Sequence, residues 1–292
     1  MVKRIFYYLF LSAILYGSIS TVAKPSLANI HPVLLSSMVY LVIGFTLLFI
    51  YIKPKQFFVT NKQTFGLIIL VGIFGGVCGP ILYFTGLTLT NASIASVLIN
   101  AEFIFTIIMA YFILKERITR LGVIGIVAII AGLLLLNVNI NELAYGFEDQ
   151  YLIGNILIIL STLFWALDNT ITKIILNRNT PIWTLLQLKS FIGGIISLSI
   201  VILLNKSFTI KIHDLPSLLF LSLGGFAGSL FLFMMGLKEV GAVKSVMIFS
   251  TSSLFGVIFA IILLTEQVNI LKLVASLIFV IVGIYMITRE IN

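Results

Sequence analysis

Charge is scarce in this sequence. Its 292 residues include 18 Lys and Arg and 10 Asp and Glu, 10% of the chain, where a soluble domain carries about 25%. That excludes a soluble globular enzyme, a disordered chain and a coiled coil. Cysteine is nearly missing too. Cys78 stands alone, so no intrachain disulfide can form and the redox compartment cannot be read. The two histidines, His31 and His213, lie far apart, which leaves no ligand set for a structural zinc. There is no Walker A loop, no His-Glu-x-x-His and no Gly-x-Ser-x-Gly. These absences argue against ATP drive, zinc proteolysis and serine hydrolysis. The chain is therefore expected to be no enzyme and to need no cofactor.

What is present is apolar. Hydrophobic residues make up 60% of the chain and the mean hydropathy is +1.21. A bilayer core about 30 Å thick takes about 20 helical residues to cross. Ten runs meet that length: 5–24, 32–52, 64–88, 93–114, 119–137, 151–176, 181–204, 214–238, 243–264 and 269–288. The pattern predicts an all-α polytopic membrane protein with ten transmembrane helices. Barrel strands are excluded, because they are short and alternate in polarity. The first run, with Lys3-Arg4 before it, imitates a signal peptide, but a similar segment recurs at 155–176, so it is expected to be a retained helix. The longest connection, 138–150, leaves no room for a soluble catalytic domain.

The net charge of +8 points to basic cytoplasmic loops rather than to nucleic acid. With the N-terminus inside, thirteen basic residues fall on the inner face (Lys3, Arg4, Lys53, Lys55, Lys62, Lys115, Arg117, Arg120, Lys173, Arg178, Lys238, Lys244 and Arg289). Four fall on the outer face (Lys24, Lys206, Lys211 and Lys272). This asymmetry predicts a multi-pass protein of the cytoplasmic or plasma membrane with both termini cytoplasmic.

The halves repeat at an offset of 149–150. Ser12 matches Ser161, Lys24 matches Lys173, Pro32 matches Pro181 and Gly44 matches Gly193. One position later, Gly75 matches Gly225, Gly86 matches Gly236, Leu87 matches Leu237, Ala92 matches Ala242, Leu114 matches Leu264 and Glu116 matches Glu266. The expected units are residues 1–140 and 150–292, with five spans each. Five is odd, so the second copy is inverted. Inverted repeats of this kind build alternating-access transporters with a midplane site between the copies.

Several of these residues form a recognisable pattern. Leu15-Tyr16-Gly17-Ser18 to Lys24 followed by Pro32, and Phe164-Trp165-Ala166 to Lys173 followed by Pro181, resemble the opening of EamA-type members of the drug/metabolite transporter superfamily. So do Tyr83-Phe84-Thr85-Gly86-Leu87, Asn91-Ala92-Ser93 and the endings Leu114-Lys115-Glu116 and Leu264-Thr265-Glu266. The resemblance covers nearly the whole chain. It implies a 5+5 inverted repeat around a central cavity lined by spans one to four and six to nine. It also implies export or exchange of amino acids, other metabolites or drug-like solutes without ATP. That family often carries proline midway along spans four and nine, where Phe103 and Ser253 stand here, and arginine in spans two and seven, where Tyr40 and Lys189 stand. The resemblance therefore secures no kink, and an anion clamp in at most one half.

Charges inside a bilayer are expensive and default to functional hypotheses. Glu102, Asp168 and Lys189 lie deep in their runs. Asp168 and Lys189 are each about 12 Å from the inner surface by helical rise. That suits a static ion pair or a gate or clamp, unless Lys189 snorkels inward. Glu102 has no basic residue at its depth and reads as a proton-coupling site, a ligand for a substrate amine, or a neutral hydrogen-bonded core acid. Tyr16, Tyr83 and Trp165 read as aromatic walls, and Asn100 and Asn169 as polar contacts on the same faces. Glu116 and Glu266 read as caps, each closing a span end or the next helix's N-terminus. The expected partners are a small-molecule substrate, the lipid bilayer and protons as one route of coupling, with the protein a monomer or homodimer. The alternative is a non-transporting membrane scaffold built on the same fold.

Overall fold

The computed structural model describes residues 2–50, 61–115, 120–137, 149–266 and 270–288. Among these every regular element is helical. Eight helices are long and apolar enough to cross a membrane. They are α1 (Val2–Ser26), α2 (Pro32–Ile50), α3 (Lys62–Leu89), α4 (Ala92–Leu114), α6 (Asp149–Asn177), α7 (Ile182–Leu203), α8 (Ile212–Val240) and α9 (Ala242–Leu264). Two further apolar helices, α5 (Arg120–Asn137) and α10 (Ile270–Thr288), have shorter apolar stretches, Arg120–Gly132 and Val274–Gly283. Helix is the form such runs must take in lipid, where each backbone group needs a partner within its own segment. The 138–148 connection and Glu116 lie outside the described residues.

Local chemistry sets the ends. Asn61 Oδ1 accepts from the Gln63 amide at 2.9 Å and starts α3. The His31 ring accepts from the Val33 amide through Nδ1 at 3.3 Å and caps α2. Lys115 and Thr265, which correspond across the repeat, both adopt the left-handed conformation that stops α4 and α9. The Leu-x-Glu signature is thus a helix exit followed by a carboxylate.

Helices α4 and α9 are each broken midway, and neither contains proline. In α4 the amides of Asn100, Glu102 and Phe103 bond three residues back, to Val97, Ile99 and Asn100. In α9 the amides of Thr251, Ser253 and Leu254 do the same, to Ile248, Ser250 and Thr251. The half-helices are Ala92–Leu98 and Ala101–Met109 in α4, and Ala242–Phe249 and Ser252–Leu264 in α9. Polar side chains bond to the backbone at the breaks. Asn100 Nδ2 donates to the Val97 carbonyl at 2.9 Å and Thr251 Oγ1 to that of Ile248 at 2.8 Å. Each helix is thus interrupted with no proline at the break. Helices α3 and α8 each widen into π-turns, at Phe74–Cys78 and Phe220–Gly228, a local form frequent at functional sites.

The packing crosses the two halves. α1 lies against α8 and the second half of α9, while α6 lies against α3 and the second half of α4. α2 runs along α7, and α5 along α10. Two groups result, α1-α8-α9 and α6-α3-α4, each holding one helix taken from the other half. Gly76 and Gly193 let α3 and α7 touch backbone to backbone, since a Cβ on Gly76 would sit 2.9 Å from the Gly193 Cα.

Candidate functional site

The π-turn in α3, the breaks in α4 and α9, and the middles of α1, α6 and α7 converge on a buried polar cluster. Asp168 on α6 and Lys189 on α7 form an ion pair through Oδ2 and Nζ, and both side chains are buried. Thr172, one turn along α6, donates to Asp168 Oδ1 at 3.2 Å. Lys189 therefore does not snorkel to the surface. Glu102 stands in the first turn of the second half of α4, where the helix dipole favours a carboxylate. Its Oε1 accepts from Asn169 Nδ2 at 2.7 Å and its Oε2 from the Tyr16 hydroxyl at 3.4 Å. Asn169 also reaches Thr106 Oγ1 at 3.4 Å. Among the described residues Glu102 has no ion-pair partner.

Aromatic rings surround these groups. Tyr16 meets Trp165 edge to face at 6.1 Å between centroids, Phe226 at 6.5 Å and Phe249 at 4.5 Å. Two narrow clefts run through the cluster. One lies between the helix breaks and is lined by Tyr16, Asn100, Glu102, Phe103, Phe249 and Ser250, among others. The other lies toward the ion pair, with Tyr16, Glu102, Trp165, Asp168, Asn169 and Lys189 in its wall. Each has a gap of only about 10 Å³, about enough for one water. An organic solute requires the walls to part.

Seven of the eight residues expected from the sequence line these clefts. The eighth, Tyr83, stands behind the wall, its ring tilted 48° against that of Trp165 at 5.3 Å between centroids. Tyr40, which corresponds to Lys189 across the repeat, donates to the Gly75 carbonyl in the α3 π-turn at 2.6 Å. Lys189 is taken by Asp168. Neither position of the family's arginine thus offers a free anion clamp. Sequence reasoning missed Thr106, Phe226 and Phe249. They are apolar or hydroxylic residues on helices full of their kind, and no sequence signal distinguishes them.

It also missed the use made of two matched lysines. Lys24 Nζ on α1 donates to the carbonyls of Leu87 and Thr90, each at 2.7 Å, at the end of α3. Lys173 Nζ on α6 donates to the carbonyl of Leu237 at 2.6 Å, near the end of α8. Each cation satisfies the exposed carbonyls of a helix C-terminus. Each also ties one helix group to the other. Glu266 adds to the Lys24 end. Its two oxygens accept from the amides of Ala92 and Ser93, each at 3.0 Å, at the start of α4. It therefore caps α4 of the other half rather than the helix that follows it.

Comparison with known proteins gives a family, two relatives and a similar fold. A family model described as the EamA-like transporter family matches residues 3–138 and again residues 152–289. An uncharacterized transporter of Methanothermobacter thermautotrophicus is 29% identical over 280 residues, covering 91% of this chain and 81% of its own length. One of Clostridium kluyveri, also an uncharacterized transporter, is 26% identical over 239 residues, 80% of this chain and 74% of its own. A solved crystal structure superposes with a TM-score of 0.76 over 99% of this chain and 97% of its own, at 14% identity, a likeness of fold alone.

Proposed function

The chain belongs to the EamA-like transporter family, and from that premise we propose that it is a secondary transporter of small organic metabolites such as amino acids or drug-like solutes. It works by alternating access in the cell membrane. Helices α1 to α10 form ten spans in two inverted units, 1–140 and 150–292, with both termini cytoplasmic. The substrate sits at Tyr16, Asn100, Glu102, Trp165, Asp168, Asn169 and Lys189, with Tyr83 backing the wall.

One observation carries this reading. The charged cluster is buried where the two helix groups meet, beside the breaks in α4 and α9. Unwound backbone at membrane depth is tolerated where it lines a cavity or is sheltered by protein, and broken helices are where midplane sites form. Rocking one group against the other would open the cluster to either side. The Lys24 and Glu266 bonds would hold one face shut, and the Lys173 bond the other. With both sets made, the clefts are closed to anything larger than about one water, as in an occluded intermediate.

Solute flux into proteoliposomes tests the proposal, using amino acids, nucleosides, sugars and organic cations, with and without an imposed pH gradient. Saturable flux of one class, lost in Asp168→Asn, is the expected result. A pH response that disappears in Glu102→Gln would make protons the coupling ion. Folded protein that moves nothing in the panel, and whose cellular role survives substitution of all three deep charges, would replace transport with the scaffold reading.

A further inference from the structure

Resting on the transport reading, we propose that the cleft between the two helix breaks binds an ammonium group of the substrate through its N–H hydrogens. Charge is the first reason. Asp168 and Lys189 neutralise each other. Glu102 receives only the neutral donors Asn169 and Tyr16, so its attraction for a cation is unspent. An anionic ligand group would meet this carboxylate with no free cation beside it.

The second reason is an orphaned acceptor. Asn100 is 7% exposed and lines the cleft with Glu102. Its amide nitrogen is committed to the Val97 carbonyl at 2.9 Å, which fixes which way the group points. Its Oδ1 has no partner. Buried acceptors are rarely left so, and each calls for an explanation. The backbone adds to the demand for donors. In an unbroken helix the Glu102 and Ser253 amides would serve the carbonyls of Leu98 and Phe249. Here they serve Ile99 and Ser250 instead.

The walls supply the third reason. Tyr16, Phe103 and Phe249 face the same cleft, and aromatic faces attract cations. A primary ammonium brings a positive charge for Glu102 and the rings, and three donors for Asn100 Oδ1 and its neighbours. A quaternary ammonium would suit the charge and the rings but leave Asn100 unanswered. A sugar hydroxyl would answer Asn100 but not the charge. The site is therefore built to discriminate by N–H as well as by sign.

Thermal unfolding of the purified full chain in detergent tests this. The probes are ethylammonium chloride, tetramethylammonium chloride, sodium acetate and ethanol, at matched ionic strength. Ethylammonium should raise Tm saturably, with a midpoint at least tenfold lower than that of tetramethylammonium, and acetate and ethanol should do nothing specific. Glu102→Gln should abolish both ammonium effects. Asn100→Leu should bring the two midpoints together, and Asn100→Asp, which keeps an acceptor oxygen, should restore the preference. Equal or tighter binding of tetramethylammonium overturns the proposal, as does stabilisation by acetate. The wild-type ranking decides even if a variant fails to fold. Saturable flux of sugars or carboxylates without ammonium binding would overturn this inference and leave transport standing. Ammonium binding without flux of any solute would do the reverse.

Discussion

At Gly75 the ion pair leaves room for nothing larger than hydrogen. A Cβ there would strike the Asp168 carboxylate and lie 2.7 Å from Lys189 Nζ. Gly75→Ala should therefore destabilise the protein by about 1–3 kcal/mol, the usual cost of overpacking, read as a lower unfolding midpoint in detergent. Lys189→Met leaves Asp168 buried and alone, which should cost about 3–5 kcal/mol. Adding Asp168→Asn should recover most of that loss, because a buried pair replaced as a pair is often near neutral. Additive costs in this double-mutant cycle would mean that the two groups do not act together. The charges themselves were legible in the sequence. Counting residues from the span ends put Asp168 and Lys189 at one depth, although only the fold shows that they meet. Gly75 reads in the sequence as one more packing glycine, since nothing there shows what a glycine faces.

Helix caps and breaks operate at the scale of the element. Burial and the neighbouring Lys206 push the His31 imidazole below its usual value, and its Nδ1 must stay unprotonated to accept from Val33. The sign follows from this depressed folded-state value. Below the ordinary value of about 6.5 the unfolded chain binds more protons than the folded one. The stabilisation is complete above that value and is lost as pH falls through the lower, folded one. Wild-type Tm should thus drop modestly between pH 7.5 and 5. His31→Asn, an acceptor that does not titrate, should lack that component of the drop. An identical drop in the variant would remove the cap from the account. Helix existence was plain from the apolar runs, and Pro32 and Pro181 marked two starts. The breaks in α4 and α9 were not legible. Proline is the sequence signal for a break, and here Asn100, Ser250 and Thr251 stand at the breaks instead, hydrogen-bonding the backbone three residues back. Such residues are common in straight membrane helices too.

Across the whole molecule the matched lysines stand at opposite ends of one design. The 149–150 offset revealed two copies, but it does not say on which copy each helix packs. The exchange of α1 and α6 between the helix groups is a tertiary fact. That exchange turns Lys24 and Lys173 from loop charges into ties between groups. A hydrogen bond from a charged donor contributes about 1.5–3 kcal/mol, and about 1.4 kcal/mol is a factor of ten in an equilibrium. Loss of either tie should bias the protein toward opening on that side by roughly tenfold. The most direct measurement is labelling of a single thiol at Ser252→Cys, in a Cys78→Ala background, with a membrane-impermeant reagent applied to one face at a time. Lys24→Met should speed labelling from the face that carries Lys24, and Lys173→Met from the opposite face. Equal changes at both faces, or none, would contradict alternating access through these two groups.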